Sequence, residues 1–210
     1  EEIIKPEEII KPEEIIKPNP YYIDKPLINS IQSNNFIIEK NNFGKIIFNN
    51  SNIKYAVNLW IQDSVQIDEN ISEWDVSNVT NMAGLFNNAI NFNQDISNWN
   101  VSNVENMRGM FQGASIFNQD LSKWNISNVN DISSIFTNAT SFNGNISTWD
   151  TSKITHMSYM FMNAINFNQD ISNWNVSNVI NMNSMFLNAT NFNQPIGNWD
   201  VSNVEIMVGM

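Results

Sequence analysis

An imidazole beside a hydroxyl and a carboxylate can run acyl transfer, and a set of imidazoles can hold a metal. The single histidine of this 210-residue chain is therefore the first residue to weigh. No Ser–His–carboxylate grouping recurs around His156, and one His cannot supply a usual transition-metal cage. Its position is held elsewhere by Asn81, Asn106, Asp131, Asn181 and Ile206, so it reads as a drifted surface residue. Two series of side-chain oxygens come next. One runs Asp95, Asp120, Asn145, Asp170, Pro195; the other runs Asp75, Asn100, Asn125, Asp150, Asn175, Asp200. Calcium held between stacked units needs an oxygen ligand in every unit and, commonly, Gly-rich turns. Pro195 breaks the first series and the chain has only 7 Gly, so solvation or backbone capping is the expected role.

The absence of cysteine removes disulfides, thiol catalysis and zinc–thiolate sites together. No nucleotide loop, HExxH helix or GxSxG elbow appears. No catalytic residue, metal or cofactor is expected, and the chain does not read as an enzyme. Lys and Arg total 10 against 21 Asp and Glu, a formal charge of −11, which argues against a nucleic-acid partner. No apolar run approaches a membrane span. There are 41 Asn and 30 Ile but 5 Leu and one Arg, the bias of a low-GC genome.

The oxygen series are columns of a repeat. From Ile71 the sequence recurs every 25 residues without insertion or deletion, with Trp at 74, 99, 124, 149, 174 and 199. Five units are complete and a sixth stops at Met210; with Glu1 in first place, the chain reads as an excerpt of a longer surface or secreted protein. Ahead of the array, EEIIKP occurs three times, and a Pro every sixth residue blocks a continuous helix. Residues 1–20 read as a disordered spacer and 21–70 as an N-terminal cap. In the cap, Phe36–Ile38 and Lys45–Phe48 flank a hairpin turn. Ser51 is the expected N-cap of an amphipathic helix carrying Ile53, Ala56, Val57 and Trp60.

Within a unit, the Ile71, Trp74, Val79, Met82, Leu85–Phe86 and Phe92 classes are apolar in nearly every copy. One unit cannot bury this face alone, but stacked units make a continuous core. The Trp and Phe columns are expected inside; an exposed aromatic stripe for carbohydrate is the other reading. The fixed Ser77 and Asn93 classes suit turns and coil-to-coil hydrogen bonds. Short strands are expected at the Ile–Trp segment and at Asn-Val-x-x-Met, with a helical turn over Leu/Met-Phe-x-x-Ala. That makes an α/β repeat solenoid with a helical cap over residues 71–210.

In this phase WxxSxVxxMxxMFxxAxxFNxxI resembles the 25-residue repeat of mollicute surface lipoproteins, a branch of the BspA-like leucine-rich-repeat family. The resemblance covers Ile71 to Met210 in six consecutive copies. It implies a leucine-rich-repeat-like coil in a lipid-anchored, outward-facing protein with an adhesive or interaction role. The Cys of a lipoprotein signal is not in this sequence, so the anchor rests on the resemblance alone.

Positions that vary between copies should face solvent or a partner. The residues before Trp are Glu73, Asn98, Lys123, Thr148, Asn173 and Asn198; Glu105 and Arg108 stand in two other variable classes. These eight are the candidate partner-facing residues. The expected function is non-catalytic binding of a host or neighbouring-cell macromolecule at the cell surface. A structural or antigenically variable coat without a dedicated ligand is the alternative.

Overall fold

The computed structural model describes residues 39, 40, 42, 45–61 and 70–210. The EEIIKP segment and the first arm of the expected hairpin, Phe36–Ile38, lie outside the described residues. Strand β1 (Glu39–Lys40) pairs antiparallel with β2 (Ile46–Asn49), Glu39 opposite Ile47. Ile46 and Phe48 are buried while Asn49 is exposed, the two-residue alternation of a strand with one covered face. Helix α1 (Ile53–Ile61) buries Ile53, Ala56 and Val57. It starts one residue later than a Ser51 cap requires: Asn52 precedes it, and the Ser51 hydroxyl donates instead to Asn49 Oδ1 at 2.6 Å.

After a short 3-10 turn at Ile71–Glu73, β3 (Asp75–Asn78) pairs parallel with β2, completing a sheet of order β1–β2–β3. From there each 25-residue unit forms one coil that lies on the next. Asn81, Asn106, Asp131, His156, Asn181 and Ile206 join in series through parallel backbone bridges. In the first coil the N–H groups of Met82, Gly84, Phe86 and Asn88 donate to the carbonyls of Asn106, Arg108, Met110 and Gln112 at 2.7–2.9 Å. The N–H groups of Leu85, Asn87 and Ala89 turn back instead onto Met82, Gly84 and Phe86.

This division explains why the Leu85–Ala89 segment is a run of tight turns where the pattern predicts a helical turn. A helix uses every interior N–H within itself, whereas here alternate N–H groups belong to the neighbouring coil. The alternation needs left-handed backbone at two places per coil. Gly84 and Asn88 have φ of 63° and 57°, and later coils place Gly109, Ser134, Tyr159 and Ser184, then Gly113, Asn138, Asn163 and Asn188, in the same state. Asn and Gly accept that geometry at little cost.

The core runs along the stack. All six repeat Trp side chains are buried, and each indole from the second coil on donates to a carbonyl 28 residues earlier, Trp99 to Ile71 at 2.8 Å through Trp199 to Ile171 at 3.2 Å. Two Phe columns stack beside them. Phe86, Phe111, Phe136, Phe161 and Phe186 repeat at 5.5–5.9 Å between ring centroids. Within a coil the two columns touch, Phe136 lying 3.7 Å from Phe142. One buried class is less evident in the sequence: Val76, Val101, Ile126, Thr151 and Val176 follow Trp by two, and Thr151 fits because its hydroxyl donates to the Asn175 carbonyl at 2.9 Å.

Candidate functional site

With the aromatic columns inside, polar chemistry is left to the rims of the coils. The turn after each Trp is held by its own side chain: Ser77 N–H donates to Asp75 Oδ1 at 3.1 Å, and Ser102 to Asn100 at 3.2 Å. The Asp95 series does the same, Ser97 onto Asp95 at 2.9 Å and Ser122 onto Asp120 at 2.8 Å. These bonds hold carboxylates ionised. The backbone N–H and hydroxyl of Ser97 keep Asp95 below the ordinary carboxylate value, and the hydroxyl and N–H of Ser122 do so for Asp120, with Lys123 adding attraction. Asp150, Asp170 and Asp200 are lowered by Ser152, Ser172 and Ser202 in the same way. Among the described residues no three His, Cys, Asp or Glu side chains come together. His156 is half-buried, with Nδ1 2.9 Å from the Thr155 hydroxyl.

A second rim links coils through amides. Asn118, Asn143, Asn168 and Asn193 each donate a backbone N–H to the Asn side chain one coil back at 2.7–2.9 Å. Gln119, Gln169 and Gln194 reinforce it, donating to Asn93, Asn143 and Asn168. Gly144 stands where the fourth Gln would be, and a Cβ there would lie 2.0 Å from the Gln119 carbonyl oxygen.

All eight candidate partner-facing residues are exposed, but they do not form one site. The column before Trp makes its own contacts: Glu73 pairs with Lys45 at 2.9 Å, Lys123 reaches Asn98 Oδ1 at 3.4 Å, and Thr148 donates to the Ser122 carbonyl at 2.6 Å. Arg108 lies 3.9 Å from Asp131. Glu105 belongs to a concavity. It lines a groove of about 510 Å³ with Ser77, Asn78, Thr80, Asn103, Asn128 and Asn130, spanning three coils. The Asn four residues after Trp was passed over in the sequence, although it recurs as Asn78, Asn103, Asn128, Asn178 and Asn203, with Lys153 as the exception. Its role is visible in the contacts: Asn103 and Asn128 donate Nδ2 to the Ser77 and Ser102 carbonyls, both at 2.8 Å.

Residues 51–150 and again 120–210 match one family, described as Mycoplasma protein of unknown function, DUF285. The chain belongs to that family. The first DUF285 match starts just ahead of α1, so the family pattern takes in the cap helix with the coils. A Mycoplasma family fits the mollicute character read from the repeat. No curated protein and no solved structure matches the chain. Among the described residues no helix is long and apolar enough to cross a membrane.

Proposed function

We propose that this DUF285 chain is a non-catalytic binding module: an α/β repeat solenoid of the BspA-like leucine-rich-repeat kind, displayed on the cell surface and held there by a lipid anchor. Its partner is a host or neighbouring-cell surface macromolecule. The observation that carries the reading is the split within each coil. The classes that stay fixed are buried, hold turns or tie coils together, while the varying class before Trp is exposed in every copy from Glu73 to Asn198, as are Glu105 and Arg108; in the Arg108 class Ser133 and Ser158 are buried. A stack of coils lays such positions out in rows, on which several weak contacts add up.

The test is direct binding of the chain to a panel of host-surface proteins and glycans. A saturable ligand that competes with none of the buried classes but is lost on changing exposed ones supports the module. A panel with nothing above background sinks it. The coat reading draws on the in-register form of both repeats, EEIIKP and the 25-residue unit, which can gain or lose copies without disturbing their neighbours. Independent isolates that differ in copy number, with no constant exposed patch, favour the coat.

A further inference from the structure

The groove at Glu105 is lined by polar side chains, and hydrogen bonds fix the direction of two of its amides. A backbone carbonyl only accepts, so the amide nitrogens of Asn103 and Asn128 must be the atoms facing Ser77 and Ser102, each at 2.8 Å. That turns both Oδ1 atoms away from the backbone. Thr80 is committed differently: its hydroxyl accepts from Asn50 Nδ2 at 2.8 Å. Among the described residues the Glu105 carboxylate has no hydrogen bond and no ion pair. From residue 71 onward acidic side chains number 10 against 3 basic ones, and Glu105 is the charged side chain that lines the groove.

The chain itself shows what such an acceptor takes. In the coil beyond the groove, Lys153 replaces the Asn of this column, and its ammonium donates to Asn128 Oδ1 at 2.9 Å. One coil along, the Asn103 Oδ1 occupies the equivalent place, but the residue after it in the column is Asn128, which sends its donor to the backbone. Glu105 sits two residues from Asn103, ready to balance a cation there.

We infer that this groove binds a Lys- or Arg-bearing extended segment of a partner protein, with one cationic side chain seated between Asn103 Oδ1 and the Glu105 carboxylate. Asn78 and Asn130 offer acceptors and donors to the segment's backbone on either side. The inference rests on the reading of the array as a binding module, and it specifies the ligand class.

The experiment measures anisotropy of a labelled twelve-residue Lys/Ser peptide against the whole chain, with the same peptide acetylated on every lysine. Three proteins are compared: the parent, Glu105→Gln, and Glu205→Gln, which removes the same charge from the same column outside the groove. The expected result is saturable binding by the parent and by Glu205→Gln. Glu105→Gln should bind about tenfold more weakly, the scale of one charge-assisted hydrogen bond, and the acetylated peptide should bind no variant. Equal weakening by both substitutions would mean only non-specific attraction and overturns the proposal. So does equal binding of the acetylated peptide, or a glycan from the panel whose binding depends on Glu105 while the peptide shows none. A panel ligand indifferent to Glu105→Gln defeats this inference and leaves the binding module standing; a panel with no ligand and no peptide binding defeats both.

Discussion

The first and the sixth coils carry the same residue classes to different degrees of burial. In the first coil Val76 and Met82 are each 1% exposed; in the sixth, Val201 is 40% and Met207 38% exposed. The difference is cover. Strand β2 lies along β3, Phe48 packs 4.4 Å from Trp74, and Trp60 of α1 meets Phe92 edge-on at 5.9 Å. Nothing among the described residues lies on the outer side of residues 201–210. Sequence class therefore sets which residues are able to be core, and a neighbour on each side decides whether they are. The capped end shows that the neighbour need not be a repeat: β2 and α1 share none of the repeat's sequence, yet they close the first coil.

The largest effect is expected in the interior. Trp124 is buried against Phe111, 6.2 Å between centroids, and its indole donates to the Ile96 carbonyl at 3.1 Å. Trp124→Ala should cost about 3–5 kcal/mol. Because stability in a stack is close to a nearest-neighbour sum, unfolding should become broad or multi-step. Trp199→Ala, in the open coil, should cost clearly less, and Lys123→Ala less than about 0.5 kcal/mol. Chemical denaturation of the three variants measures this. Equal losses at Trp124 and Trp199 would erase the distinction between interior and end.

A smaller effect tests how the cap imitates a coil. Each interior coil donates a backbone N–H to the carbonyl of the coil before it, Glu105 N–H to Thr80 and Asn130 N–H to Glu105. The first coil has Asn50 instead, whose Oδ1 accepts from the N–H groups of Thr80 and Asn81 at 2.9 and 3.0 Å. Asn50→Ala should destabilise by about 1–2 kcal/mol and speed amide exchange at Thr80 and Asn81. Unchanged protection there would mean that the sheet alone closes this end.

The fourth coil carries a local cost that the outer coils avoid. Tyr159 holds φ at 58° where the first and sixth coils have Gly84 and Gly209. Tyr159→Asn should raise stability by about 0.5–1 kcal/mol, because Asn enters the left-handed region more easily. It gives up the exposed 2.6 Å hydrogen bond that Asn183 Nδ2 donates to the Tyr159 hydroxyl. A fall in melting temperature would show that this contact outweighs the backbone relief.

Much of this was legible in the residues because burial, period and identity coincide. The 25-residue beat, the Trp and Phe columns and the α1 face follow from apolar residues recurring where only stacking could hide them. The run of turns was not, since Leu-Phe-Asn-Asn-Ala has helical spacing and nothing local reveals that alternate N–H groups serve another coil. The signal that was available is Asn or Gly at 88, 113, 138, 163 and 188, a left-handed signature. The groove was half visible. Glu105 stood out as a charge in a variable class, but its Asn neighbours looked like turn filler, and only the fixed direction of their amides makes them acceptors.

The smallest effect is electrostatic and should be nearly uniform along the stack. Asp95, Asp120 and Asp170 are held below the ordinary carboxylate value by Ser97, Ser122 and Ser172, while the third coil has uncharged Asn145 making the same turn to Ser147 at 3.0 Å. A carboxyl lowered on folding favours the folded state when ionised. Its contribution is complete above the unfolded value near about 4 and fades as pH falls through the folded one. These turns are solvent-exposed, so each contribution is small. Asp120→Asn should leave the melting temperature at pH 7 close to that of the parent and lessen its decline below about pH 4. If the decline is unchanged, the bond from Ser122 orients the turn without favouring its charge, and acid sensitivity must reside in other carboxylates. If stability at pH 7 falls sharply instead, the charge on Asp120 contributes more than a rim position in contact with water permits, and the likeness of the Asp and Asn coils is only geometric.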